Sequence, residues 1–295
     1  MLFSHSSSCG LIFYRTLMFC SLLTLAFGSH AQQVVRTMPV SSDIDKYTLK
    51  ILELALARVN TNYKVQVDLD QTRTQARFIA DVKAGNVELM WAATDEHFES
   101  ELLPVRIPLL KGLLGHRIFL IHKSDQYKFD KVNTLDDLRQ LKLGQGATWA
   151  DTQILESNRL NVVKANKYES LLYMLDGGRF DAFPRGIQEP WSEVNKIPGL
   201  ELAVEKRIML VYKMPFYFFV GRDNLKLARD LEDGLNSIIA DGTFDKVFFA
   251  DPSIRNAVEL ADLKNRIVFY LDNPNLPPET PVNRPELWLD VKTLE

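Results

Sequence analysis

The sequence predicts an α/β protein of two lobes, and three observations carry that prediction. Short β-rich runs alternate with segments of helical periodicity along most of the chain. The length, 295 residues, is about twice that of a common domain. Beyond residue 31 no apolar run is long enough to cross a bilayer. A composition of 46% hydrophobic and 25% charged residues is that of a globular chain. The formal net charge of −3, from 35 basic and 38 acidic residues, lacks the excess of cations that a nucleic-acid surface requires.

The elements follow in order. Residues 17–27 (LMFCSLLTLAF) form an apolar run of eleven, against the ~20 that span a bilayer. Arg15 precedes it and Ser29-His30-Ala31 follows, which is the pattern of a cleavable secretory leader cut after Ala31. Both cysteines, Cys9 and Cys20, fall inside it, so the mature chain is expected to hold no disulfide, Cys-bound metal or Cys nucleophile. Ile44, Tyr47, Ile51, Leu54 and Ala55 recur at helical spacing, with Ser42 or Asp43 as the cap. Tyr63, Val65, Val67 and Leu69 alternate as a half-buried strand does. A helix ended by Gly85 and strands at residues 87–92 and 117–122 come next. A second lobe then runs through strands at 142–145, 161–164 and 179–183 with helices from Asp151 and over 168–175. Residues 209–221 read as strand, Pro215 and strand again, returning the chain to the first lobe. A helix over 224–240, a shorter one around Phe244 and a last strand at 267–271 complete it. Five of the thirteen prolines lie between Asn273 and Pro285, so the tail is expected to be extended, without a core of its own.

The chain thus divides into a leader (1–31), a first lobe (32–121 with 213–272), a second lobe (122–212) and a Pro-rich tail (273–295). A chain that leaves one lobe, builds another and returns is a hinge architecture, here with hinges near 120–124 and 210–216. Ligands of such folds bind in the cleft.

Residues 141–152, LKLGQGATWADT, resemble the Gly-rich turn and helix start of the type II periplasmic solute-binding proteins, the amino-acid-binding family 3 of ABC transporters. Residues 171–183, LLYMLDGGRFDAF, resemble that family's helix ending at Gly before a strand with Asp-Ala. Ala93-Thr94 with Pro108, and residues 214–220 (MPFYFFV), are similar to its two crossovers. The order and spacing of these segments across residues 34–272 carry the resemblance. It implies two βα sandwich lobes, export to the periplasm, and capture of a small polar, carboxylate-bearing ligand for a membrane permease. It also implies a monomer without cofactor, metal, nucleic-acid partner or membrane insertion. A membrane signalling protein is the alternative partner, supported by the tail with Trp288 and Leu289. An exported enzyme resembling cyclohexadienyl dehydratase is the third reading, with Glu189 and His97 as the residues to watch. Two departures stand out: no Arg follows Thr94 to grip a carboxylate, and residues 183–186 (FPRG) offer a cation where the family places an Asp.

Within that frame seven ligand-binding residues are expected: Trp91, Thr94, Arg106, Thr148, Trp149, Thr152 and Arg185. Glycine at 144 and 146 removes the Cβ that keeps a ligand from the backbone, and the helix N-terminus that follows suits an anion. Thr148 and Thr152 add hydroxyls there, the alternative being a plain capped turn. Arg185, at a strand end, has the planar fork that reads a carboxylate, or else pairs with Glu189. Arg106 is a substitute clamp or a solvated edge charge. Trp149 in the loop is a cleft wall, while Trp91 is wall or core.

Overall fold

The computed structural model of the chain describes residues 1, 32–59, 62–70 and 72–291. Apart from Met1, the expected leader, with its expected cleavage after Ala31 and both cysteines, lies outside the described residues. The elements are β1 (Gln33–Thr37), α1 (Asp43–Val59), β2 (Tyr63–Val67), α2 (Gln75–Lys83), β3 (Leu89–Ala93), α3 (Glu96–Glu101), β4 (Leu103–Val105), β5 (His116–His122), α4 (Gln126–Phe129) and α5 (Leu135–Arg139). They continue with β6 (Lys142–Gly146), α6 (Ala150–Ser157), β7 (Asn161–Ala165), α7 (Tyr168–Asp176), β8 (Ala182–Gly186), α8 (Pro190–Glu193), β9 (Leu202–Val204) and β10 (Ile208–Val211). β11 (Phe216–Val220), α9 (Leu225–Ala240), α10 (Thr243–Ala250), α11 (Pro252–Ala261) and β12 (Ile267–Tyr270) close the series.

Two sheets form, as the alternation of elements requires. The first has the order β2-β1-β3-β11-β4, with β1 parallel to β2 and β3, and β11 antiparallel to both its neighbours. The second has the order β12-β10-β5-β8-β6-β7, with β9 pairing β5. The first lobe's helices begin and pack as their sequences dictate. Ser42 Oγ accepts from the Asp45 amide at 3.1 Å, and Asp45 Oδ2 accepts from the Ser42 amide at 2.9 Å, so the two residues cap α1 reciprocally. On the apolar stripe of α9, Leu231 and Leu235 are fully buried in the same core as Ile51 and Leu52 of α1. Gly234 lets the two helices approach, because a Cβ there would lie 2.1 Å from the Ala55 carbonyl oxygen.

Strand membership departs from the expectation at two places. The strand at 117–122, assigned to the first lobe, is central in the second sheet, paired to β8 and β10. Ile118, Phe119, Leu120 and Ile121 are buried on both faces, which demands a covered central position that periodicity alone cannot allot to one sheet. The chain therefore crosses between the sheets before His116 rather than at 120–124; the return, between Val211 and Phe216, falls within 210–216. The last strand also joins the second sheet, parallel to β10. The buried guanidinium of Arg266 docks it, donating to the carbonyls of Glu205 at 2.8 Å and Ile208 at 3.0 Å. Among its described residues the tail holds no strand, but it is not free. Leu287, Trp288 and Val291 are buried in the first core, so the apolar residues read as a docking tip are packed inside this chain.

Candidate functional site

The loops that follow β3 and β6, one from each sheet, face each other across a cleft of about 450 Å³. The first sheet contributes Asp95, Glu96 and His97. Asp95 is there because it caps α3, its carboxylate accepting from the Phe98 amide at 2.7 Å. Glu96 and His97 follow on the exposed side of that short helix. The second sheet contributes residues 147–150, Thr152, Gln153, Glu156 and Lys164, and the tail adds Asn275. Lys164 is neutralised by Glu156 at 2.8 Å, so among the described lining residues the carboxylates of Asp95 and Glu96 leave the cleft acidic.

Behind the second wall lies a dense buried network. Arg117 Nη2 meets Asp151 Oδ1 at 2.8 Å, its Nε donates to the Tyr212 hydroxyl at 2.9 Å, and Glu189 lies 3.4 Å away. The Tyr212 hydroxyl in turn donates to Asp151. Burial works against the Arg117 charge, but Tyr212, Asp151 and Glu189 outweigh it and raise its pKa. Burial raises the Tyr212 pKa, so the phenol stays protonated as the donor. Arg185 is held beside this cluster by Glu193, at 2.8 Å and 2.9 Å, and by Glu189 at 2.7 Å. Its guanidinium lies 4.7 Å from the Phe183 ring centroid and 5.3 Å from that of Trp149.

The first wall has a smaller internal pair: Thr94 Oγ1 donates to Glu99 Oε1 at 2.9 Å and Arg106 grips the other oxygen. Burial raises the Glu99 pKa, opposed by those two partners.

No family model and no curated protein matches the chain. Solved structures do. The probable amino-acid ABC transporter extracellular-binding protein ytmK from Bacillus subtilis superposes with a TM-score of 0.53 at 16% identity, covering 75% of this chain and 97% of that one. The fold is that of the type II periplasmic solute-binding proteins. An ancestral arginine-binding protein bound to arginine follows at a TM-score of 0.49 and 16% identity, over 76% of this chain and 100% of that one. A Salmonella typhimurium periplasmic binding protein with high arginine specificity gives 0.46 at 12% identity, over 73% of this chain and 97% of that one.

On this binding-protein fold the seven expected residues divide. Thr148, Trp149 and Thr152 line the cleft. Thr152 also donates to the Gly146 carbonyl at 2.6 Å, closing the turn. Trp91 is core: it is 2% exposed, its indole N–H donates to Asp45 at 2.8 Å, and its edge reaches a separate cavity with Met38 and Phe78. Thr94 and Arg106 are turned toward Glu99, and Arg185 toward Glu189 and Glu193, so neither guanidinium is the open clamp the sequence suggested. A cation at a strand end that has carboxylates four and eight residues on closes on them before any ligand arrives. The glycines also act differently from expectation. A Cβ at Gly144 would fall 2.1 Å from the Phe180 ring, and one at Gly146 2.4 Å from Trp149, so both make room for aromatics of this chain.

Asp95, Gln153, Lys164 and Asn275 join the expected residues in the cleft, with Arg117, Asp151 and Tyr212 as the network behind them. Asp95 carried a signal, an N-cap residue directly after a strand that ends in a cleft. Asn275 carried none, because its place depends on where the tail lies.

Proposed function

We propose that this protein is exported through its cleavable leader and captures a small, amino-acid-like solute between its two lobes for ABC-type uptake. The observation that carries the reading is the cleft itself, assembled from the ends of β3 and β6 of opposite sheets and lined by polar groups. The ligand ammonium goes to Asp95 and Glu96. Its carboxylate goes to Thr148 and the N-terminal turn of α6, where amides and the helix dipole favour an anion. Trp149 packs against the apolar part of the solute. The protein acts as a monomer that presents its closed state to a permease. Capture rather than turnover fits the neighbours, which are binding proteins; Glu189 serves the Arg117 and Arg185 cluster instead of standing free beside His97.

Calorimetry and thermal shift with amino acids, their decarboxylated amines and dicarboxylates test this. An amino acid at a hundred times its Kd stabilises the chain by ~2.7 kcal/mol. The amine or the dicarboxylate alone binds more weakly. A flat response to every class rejects the reading.

A further inference from the structure

The segment after the last strand touches both lobes on its way across the cleft. At its start, Asp272 and Asn158 exchange two hydrogen bonds, the Asp272 amide to Asn158 Oδ1 at 3.1 Å and Asn158 Nδ2 to the Asp272 carbonyl at 2.8 Å. Asn158 ends α6, a cleft helix of the second lobe. Asn273 Nδ2 then donates to the Lys213 carbonyl at 2.8 Å, in the crossover between β10 and β11. Two residues on, Asn275 enters the cleft lining. Glu279 next comes within 3.7 Å of Arg106, just past β4 of the first lobe. The far end is locked into that lobe: the Leu289 amide donates to the Lys111 carbonyl at 2.8 Å, Lys111 Nζ donates to the Glu286 carbonyl at 2.6 Å, and Trp288 is seated on Gly112. A Cβ on Gly112, whose φ is +74°, would come 2.7 Å from that indole.

We infer that residues 272–289 are an interlobe strap, a fourth connection beside the two crossovers and the link from α11 to β12, which restrains opening of the cleft and forms part of its rim. This rests on the reading of the two sheets as lobes that open and close. The reason is reach. Five residues lie between Asn273 and Glu279, a contour of about 20 Å over six steps, and three of the five are Pro274, Pro277 and Pro278, which stiffen it. A short stiff tether follows parting lobes no further than its contour, so opening beyond that reach must detach Glu279 or the Asn158 anchor. Exposed as it is, the pair of Glu279 and Arg106 is the weaker link.

Double electron–electron resonance on the full chain tests this without any added solute. Spin labels go on Leu69→Cys in the first lobe and Tyr173→Cys in the second, both exposed positions, with Cys9→Ser and Cys20→Ser. Inserting six Gly/Ser residues between Pro278 and Glu279 keeps every anchor and adds slack. The expected result is at least a twofold rise in the long-distance population, with a smaller rise for Glu279→Arg. Distributions that superimpose for parent, insertion and Glu279→Arg overturn the strap, provided circular dichroism shows all three folded. A solute screen that finds no ligand leaves this readout untouched, so the failures of the strap and of the capture reading are told apart.

Discussion

The two walls of the cleft hold their polar side chains in opposite ways. On the second-lobe side, Trp149 lies over a glycine and beside a buried guanidinium that two glutamates already satisfy. Asp151, the second residue of α6, is fixed by Arg117 and Tyr212. On the first-lobe side Glu96 and His97 sit exposed on a six-residue helix that is capped by Asp95 and packs Phe98 on Phe219. One wall is pre-organised by internal ion pairs. The other buries only the Glu99–Arg106 pair and leaves Glu96 in water. Buried charged networks cost much to break, whereas exposed charges cost little to remove, so the comparison separates residues that build the site from residues that use it.

The largest expected effect is on the built side. Asp151→Ala strands Arg117 with only the more distant Glu189 as a carboxylate, and should lower stability by about 3–5 kcal/mol in urea denaturation. His116, next to Arg117 on β5, is fully buried and its pKa is pushed down from 6.5 to about 4 by burial. With the folded pKa below the unfolded one, its contribution is complete above pH 6.5 and is lost as pH falls toward 4. The parent should therefore lose about 3 kcal/mol more than His116→Leu across that window. Glu193→Gln weakens a charged pair while Glu189 stays on Arg185, for a cost of roughly 2 kcal/mol. A melt unchanged by that substitution would show Arg185 to be available after all. The smallest stability effect belongs to the other wall: Glu96→Gln should shift stability by less than about 0.5 kcal/mol. Its effect should appear in calorimetry instead, as an affinity loss on the order of tenfold for an amine-bearing solute. If Glu96→Gln destabilises as Asp151→Ala does, the contrast between the walls is wrong.

Much of the fold was legible because it is written in local patterns. The alternation in residues 63–67, the stripe of Leu227, Leu231 and Leu235, and Pro215 between two strands all act over a few residues, and the corresponding elements are present. Strand β8 was read three residues early, since Arg179 and Phe180 belong to the turn after α7 rather than to the sheet. The strand of residues 33–37, which opens the first sheet, is too short and too exposed to leave a clear alternation in the sequence. The site was less legible. That Thr148, Trp149 and Thr152 line the cleft is legible because a Gly-rich strand-to-helix turn is itself a local feature. For Arg106 and Arg185 the sequence leaves clamp and ion pair both open, because the value of a cation depends on which carboxylates fold against it.

By itself, then, the sequence determined the two-lobed α/β class, the helix caps and the loop that opens α6, since each follows from contacts within a few residues. Only the tertiary structure decided which sheet takes β5 and β12, which arginines keep a free fork, and that a Pro-rich tail lies across the cleft. Those outcomes depend on pairings between residues tens to hundreds of positions apart, where desolvation and ion pairing act between elements and leave no periodic trace in the chain.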